Sequence, residues 1–113
     1  MRSHDTAQRR NTMKKAAFIF LCPGSDPDRD RKVVKTEYME LSAIPVENYE
    51  AAARVAGELA DQGIGCIELC GGFGIKGMYL VKEAVGDRAQ IGAVRFDAHP
   101  GLNFESGDKR FDQ

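Results

Sequence analysis

The chain has 113 residues, of which 42% are apolar and 29% charged, and this composition is typical of one globular domain. Its 16 Lys and Arg side chains and 17 Asp and Glu side chains give a net charge of -1, without the basic excess of most nucleic-acid-binding proteins. The longest apolar run covers residues 16–22, whereas a membrane-spanning helix needs about 20 apolar residues. We therefore expect neither a nucleic acid nor a membrane as the partner of this protein.

Both ends of the chain are polar and lack apolar periodicity. Residues 1–12 are basic but contain no apolar stretch of the kind found in signal peptides, and they are predicted to be a disordered extension. Residues 103–113 are predicted to be a tail in which only Phe104 and Phe111 can dock. One α/β domain is therefore expected over residues 13–102.

The three cysteines of the chain are Cys22, Cys66 and Cys70. An odd number of cysteines without close pairing argues against a disulfide framework, and the C-x-x-C spacing of zinc sites does not occur. We therefore expect reduced thiols and a cytoplasmic location. Cys66 is expected in the core.

The predicted elements alternate between strands and helices. The continuous apolar run at 16–22 is typical of a strand covered on both faces, and Asp26 followed by Pro27 predicts the start of a helix. Strands are predicted over residues 16–22, 38–46, 65–70 and 90–97, and helices over residues 27–36, 49–62 and 75–85.

This βαβαβαβ order predicts a four-stranded, mostly parallel sheet with helices on its faces. We expect the flavodoxin-like strand order 2-1-3-4, which reverses between the first and third strands. Ligands of such sheets bind beyond the carboxyl ends of the strands, at the point of reversal. Cys22 and Cys70 end these two strands, and residues 95–99 end the fourth strand one position further along.

The loop Gly71-Gly72-Phe73-Gly74 follows the third strand and precedes a helix. Glycines let successive N–H groups point into one space, and the helix N-terminus adds a positive end, so this loop is a candidate anion site. The Phe73 ring either stacks on a ligand or covers the start of the helix. The alternative is a tight strand-to-helix turn that binds nothing.

The same loop begins a G-x-G-x-x-G pattern that runs from Gly72 to Gly77. Asp97 ends the next strand, where a ribose-binding acid would lie in a dinucleotide fold. Such a fold carries the pattern on its first strand and has a second half, whereas here the pattern follows the third of four strands. We therefore expect a smaller ligand, and the sequence identifies no cofactor.

Glu68 lies in the middle of the third strand, between Ile67 and Leu69. A carboxylate in a strand covered on both faces must be paired, hydrogen-bonded or part of a pocket. Arg95, in the fourth strand, is its expected partner. The two side chains either form a structural ion pair or act on a ligand, with Glu68 moving a proton and Arg95 holding an anionic group.

His99 follows the fourth strand and is a second candidate acid or base. Cys70 precedes a helix N-terminus, which favours a nucleophilic thiolate. The alternative for a strand cysteine is a small apolar side chain. Together with Cys22 these side chains offer soft metal ligands, but their spacing matches no metal motif and no metal site is predicted.

Three stretches carry a resemblance to known sequences: residues 14–20 (KKAAFIF), 68–74 (ELCGGFG) and 94–101 (VRFDAHPG). They are similar to a family of short bacterial proteins catalogued as a domain of unknown function, and the similarity spans residues 13–102. This resemblance implies a stand-alone α/β domain. It implies no activity, so no catalytic residue follows from it.

The sequence thus predicts a small cytoplasmic protein that binds an anionic or carbonyl-bearing small molecule at residues 71–74. Acid/base chemistry by Glu68 or His99, with the loop amides stabilising negative charge, would make it an isomerase, lyase or hydrolase. The alternatives are a ligand-binding protein without chemistry and a structural subunit. A homo-oligomer is expected, because crevices in small α/β domains often open at subunit contacts.

Overall fold

The computed structural model describes residues 14–112, whose strands form one five-stranded sheet. The strands are β1 (Lys14–Leu21), β2 (Lys32–Lys35), β3 (Met39–Val46), β4 (Cys66–Leu69) and β5 (Gln90–Ala93). The helices are α1 (Tyr49–Asp61), α2 (Ile75–Val85) and the single turn α3 (Asp108–Phe111), with a 3-10 turn at Pro100–Leu102. The extension predicted for residues 1–12 lies outside the described residues.

The four parallel strands lie in the predicted order. β1 pairs in parallel with β3 on one side and with β4 on the other, and β4 pairs in parallel with β5. Counted in chain order without β2, these strands are arranged 2-1-3-4. The carboxyl ends of β1 and β4 are therefore neighbours, as the candidate site requires.

The helix predicted over residues 27–36 does not form, and the prediction of four mostly parallel strands is wrong in this respect. Asp26 caps only a turn, in which its Oδ1 accepts 2.9 Å hydrogen bonds from the N–H groups of Asp28 and Arg29. The charged residues that follow offer no apolar face to a sheet, and packing of such a face supplies most of a helix's stability. Two consecutive β-branched valines instead extend into β2, an edge strand antiparallel to β3.

The helices α1 and α2 form where they are predicted and pack on the same face of the sheet. Asn48 caps α1 by accepting a 2.9 Å hydrogen bond from the N–H of Ala51, and Gly63 follows the helix with a φ of 88°. The two helices contact each other and cover one side of the strands. The largest buried aliphatic side chains between these layers are Ile19, Ile44, Val46, Val55, Leu59, Ile67, Leu69, Val81 and Val85.

The other side of the sheet has no helix over it among residues 14–112, and we call it the open face. Side chains alternate along a strand, so the residues between the core positions point to this side. Its apolar members include Ala16, Phe18, Phe20, Val34, Leu41 and Ala43. The expectation of strands covered on both faces is wrong, because a right-handed crossover from β1 to β3 would carry the missing helix on this side. Cys66, expected in the core, is exposed for the same reason.

The segment after the 3-10 turn folds back onto the helices. His99 and Glu105 form an antiparallel bridge, and α3 follows. Phe111 is only 6% exposed and its ring centroid lies 6.3 Å from that of Tyr49, whereas Phe104 is 70% exposed. One of the two phenylalanines singled out in this segment therefore docks on the domain.

Candidate functional site

The loop between β4 and α2 is buried at all four of its residues, Gly71, Gly72, Phe73 and Gly74. The Phe73 ring is fully buried and stacks on the Tyr49 ring with a centroid distance of 5.6 Å. The ring therefore belongs to the core beneath the start of α2, which matches the covering role considered for it.

Three N–H groups at the start of α2, those of Gly74, Lys76 and Gly77, are hydrogen-bonded within the chain. The hydroxyl of Tyr49 accepts a 2.9 Å hydrogen bond from the N–H of Gly74 and donates a 2.6 Å hydrogen bond to Asp108 Oδ1. The Asp108 carboxylate also accepts hydrogen bonds of 3.1 and 3.2 Å from the N–H groups of Lys76 and Gly77. The chain's own carboxylate therefore lies where the sequence predicts an external anion.

This contact changes the proton affinities of both side chains. Burial raises the pKa of the Tyr49 hydroxyl, and the hydrogen bond to Asp108 raises it further. Burial alone would raise the pKa of Asp108 as well, but the hydrogen bonds from Tyr49, Lys76 and Gly77 outweigh it and hold that pKa below its ordinary value. Asp108 is therefore a carboxylate at neutral pH.

Sequence reasoning missed both Tyr49 and Asp108. Asp108 lies in a polar segment interpreted as a tail, and its partner lies 59 residues earlier. One signal in the sequence could have indicated a packed segment, namely Gly107 directly before Asp108. A side chain at Gly107 would collide with the carbonyl oxygen of Gly72, so this glycine permits a close approach between two backbones.

Phe96 and His99 lie over Gly71. A side chain at Gly71 would collide with the Phe96 ring and come within 3.4 Å of His99 Cδ2. The two rings are tilted against each other, with centroids 4.8 Å apart. The segment after β5 thus passes across the carboxyl end of β4 and brings His99 to the predicted loop.

The ring of His99 is held by the 3-10 turn. Its Nδ1 accepts a 2.9 Å hydrogen bond from the N–H of Gly101. In the neutral imidazole only one nitrogen carries a hydrogen, so this bond assigns the hydrogen to Nε2. His99 therefore presents a donor on the side of its ring that faces away from the turn.

Cys70 joins the ends of β1 and β4. Its Sγ accepts 3.4 Å hydrogen bonds from the N–H groups of Leu21 and Gly72, and the side chain packs partly against the core. Cys22 follows β1 and is exposed. The fold therefore brings the two cysteine-bearing strand ends together, with Cys70 half-buried and Cys22 open to solvent.

The remaining predicted residues do not join this group. Arg95 lies beyond the end of β5 and pairs with Asp97, with 2.9 Å between Nε and Oδ1 on exposed side chains. Glu68 points to the open face beside Gly92 of β5 and forms no hydrogen bond or ion pair within residues 14–112. The ion pair considered between Glu68 and Arg95 is therefore not formed in the described part of the chain.

Other features of the described residues lie elsewhere or are missing. An open groove of about 520 Å³ lies at the amino edge of the sheet, opposite the loop, and is lined by Lys14, Lys15, Ala16, Met39, Gly63, Gly65 and Cys66. Within residues 14–112 no three His, Cys, Asp or Glu side chains are grouped as a metal site would need. The same residues contain no helix with the length and apolarity to cross a membrane.

A protein-family model matches most of the chain. The model of a family described as "Family of unknown function (DUF6506)" matches residues 14–109, which supports the resemblance inferred from the sequence. Neither a curated protein nor a solved structure matches the chain. The matched range includes Asp108, so the residue that caps α2 lies inside the family's span.

Proposed function

We propose that this chain, which belongs to the DUF6506 family of unknown function, binds a small carbonyl-bearing molecule beside the loop of residues 71–74. The observation that carries this proposal is the position of His99. Its ring lies against Gly71, and its Nε2 has no hydrogen-bond partner within residues 14–112. An N–H group that is fixed by a neighbouring bond and left unused is suited to donate to a carbonyl oxygen.

Of the two ligand classes that the sequence predicts, the local charges favour the neutral carbonyl compound over the anion. The N–H groups at the start of α2 already bind the carboxylate of Asp108. Arg95, which the sequence predicts to hold an anionic group, is paired with Asp97. An added anion would have to displace one of these carboxylates, whereas a carbonyl oxygen needs only the donor on His99.

Two neighbours of His99 would complete the site. The Phe96 ring is 39% exposed and offers an apolar surface to the body of a ligand. The half-buried Cys70 lies at the adjoining strand end. We assign the acid/base role to His99 rather than to Glu68, because only the histidine ring contacts the loop. Proton transfer next to a carbonyl is the chemistry of isomerases and lyases.

The three described cysteines are unpaired thiols. Such thiols persist in reducing compartments, and this supports the cytoplasm as the location of the protein. A small cytoplasmic metabolite with a ketone, aldehyde or amide group would supply the carbonyl oxygen to which His99 donates.

Protein-detected NMR tests the proposal with named probes. Acetamide, acetone and dihydroxyacetone serve as neutral carbonyl compounds, and acetate and inorganic phosphate as anions. We expect the neutral probes to shift the signals of Gly71, Phe96 and His99, and to lose this effect in His99→Phe, which keeps an aromatic ring without the donor. Glu83→Gln, an exposed change on α2, is the matched control and should leave the shifts intact.

Two results would overturn this assignment. Phosphate shifting the signals of Lys76 and Gly77, with no response to the neutral probes, would show an anion site that displaces Asp108. Shifts by the neutral probes that persist in His99→Phe would show that the histidine does not bind them.

A further inference from the structure

We propose that the open face of the sheet binds the open face of a second copy, forming a two-fold dimer whose axis runs along the strands between β3 and β1. The inference rests on the register of the sheet and on the side chains of the open face. It is independent of the ligand proposed for the loop.

The open face is apolar over its central strands. The rings of Phe18 and Phe20 are stacked along β1 with centroids 6.1 Å apart, and on β2 Val34 is 59% exposed. Leu41 and Ala43 of β3 are half-buried. Contiguous apolar surface of this kind marks an interaction site more often than a surface that stays in water.

The strand register arranges these residues in rows across the sheet. One row contains Lys32, Ala43, Phe18 and Glu68, on β2, β3, β1 and β4 in turn. In the next row Leu41 of β3 stands beside Ala16 of β1. In the first row the large side chain is on β1 and the small one on β3. In the second row the large side chain is on β3 and the small one on β1.

The two-fold axis lies between the two facing sheets, runs parallel to the strands and passes over the midline between β3 and β1. Rotation about it places each β1 opposite the partner's β3. Phe18 of one copy then faces Ala43 of the other, and Leu41 faces Ala16. Face-to-face sheets lie about 10 Å apart, and their cores fill by interdigitation of facing side chains. A large residue opposite a small one meets this condition at both rows without a change of backbone.

The same axis pairs the charges. Lys32 and Glu68 are exposed at the two ends of their row, about 14 Å apart across three strand spacings. Neither forms a salt bridge within residues 14–112, although Lys32 lies near enough to Asp30 to interact with its charge. The two-fold rotation brings Lys32 of each copy opposite Glu68 of the other. The dimer therefore contains two Lys32–Glu68 pairs, one at each side of the interface. Self-complementarity of this kind is what an isologous dimer requires.

The area of the open face indicates a small dimer interface. β1 and β3 have eight residues each and β2 and β4 have four each, so the four strands cover about 380 Å² at ordinary strand spacings. This is about 760 Å² for the pair, below the size of most specific interfaces, so the expected dimer is a weak one whose specificity comes from the charge pairs. A partner of another kind would have no reason to match the exchange of large and small side chains.

Sedimentation equilibrium of the full chain tests the proposal. We expect a dimer for the wild type, and weakening of dimerisation by about tenfold or more in Lys32→Glu and in Glu68→Lys, because each places like charges opposite each other twice. The double variant Lys32→Glu/Glu68→Lys should return to within about threefold of the wild type, because it restores the opposite charges.

Lys35→Glu and Glu83→Lys are the matched controls. The first alters the same strand on its other side, and the second alters the outer surface of α2; both should leave dimerisation unchanged. Circular dichroism confirms that each variant is folded. A wild type that stays monomeric, or a double variant that is weakened as much as the single ones, overturns the proposal.

Discussion

The hydroxyl of Tyr49 donates a 2.6 Å hydrogen bond to Asp108, across 59 residues of sequence. Through this bond the first residue of α1 and the first residue of α3 together cap the first turn of α2. The bond also explains why the polar C-terminal segment is packed, since Asp108 is held in place by hydrogen bonds from three separate donors.

Tyr49→Phe is expected to lower the free energy of unfolding by about 1–3 kcal/mol, because it leaves the N–H of Gly74 without its acceptor and removes one donor from Asp108. Urea denaturation measures the change. Tyr79→Phe, at a tyrosine that is 59% exposed on α2, is the control and should stay within about 0.5 kcal/mol of the wild type. Equal effects of the two changes would contradict the capping role.

Acid is expected to remove part of the stability that Asp108 contributes. The pKa of Asp108 is lower in the folded chain than its ordinary value in the unfolded chain, about 3.9. The contribution is therefore fully present above about pH 4 and is lost as the pH falls through the lowered value. Asp108→Asn removes this titration, so its unfolding free energy should fall less steeply on acidification. Urea curves at a series of pH values would contradict this if the two proteins lost stability in parallel.

Gly71→Ala is expected to displace the rings of Phe96 and His99, because its methyl group would occupy the space of the Phe96 ring. The loss of stability should be about 1–2 kcal/mol, since Phe96 lies at the surface and can rotate away. Aromatic NMR signals report the displacement. Gly65→Ala, where a methyl group meets no atom within 4 Å, should leave both rings in place. Unchanged Phe96 and His99 signals in Gly71→Ala would show that the rings do not lie over this residue.

The cysteines are expected to report the proposed dimer through their rates of alkylation. Cys22 is exposed and should react fastest, and the half-buried Cys70 slowest. Cys66 is exposed on the open face, so it should react slowly in the wild-type dimer and rapidly in Lys32→Glu. Mass spectrometry of iodoacetamide-treated peptides gives the three rates. A Cys66 rate that is the same in both proteins would contradict burial of this face.

The sequence predicted those elements whose signals are local. Asn48 marks the start of α1, because an amide side chain can cap a helix using only its near neighbours. The run at residues 16–22 predicted the central strand, and the alternation of strands and helices predicted that its neighbours β3 and β4 pair in parallel with it. Each of these inferences needs only residues that are close together in the chain.

The elements that were missed depend on distant partners. Asp26 and Pro27 form a sound helix-start signal, yet the charged residues after them offer no apolar face for a helix to bury, and residues 32–35 pair with β3 instead. The role of Asp108 depends on Tyr49 and on the first turn of α2, none of which is near it in sequence. The open face of the sheet follows from the missing first helix, so the expected burial of Glu68 and Cys66 was wrong together with it.

Because residues 14–112 place helices on only one side of the sheet, the side chains of β1 alternate between two environments. Its odd-numbered residues, such as Ala17 and Ile19, pack against the helices, and their substitution should lower the free energy of unfolding. Its even-numbered residues, such as Phe18 and Phe20, lie on the open face and would contact the molecule that binds there. In a screen of variants along this one strand, substitutions at odd-numbered positions should lower stability, and substitutions at even-numbered positions should change association.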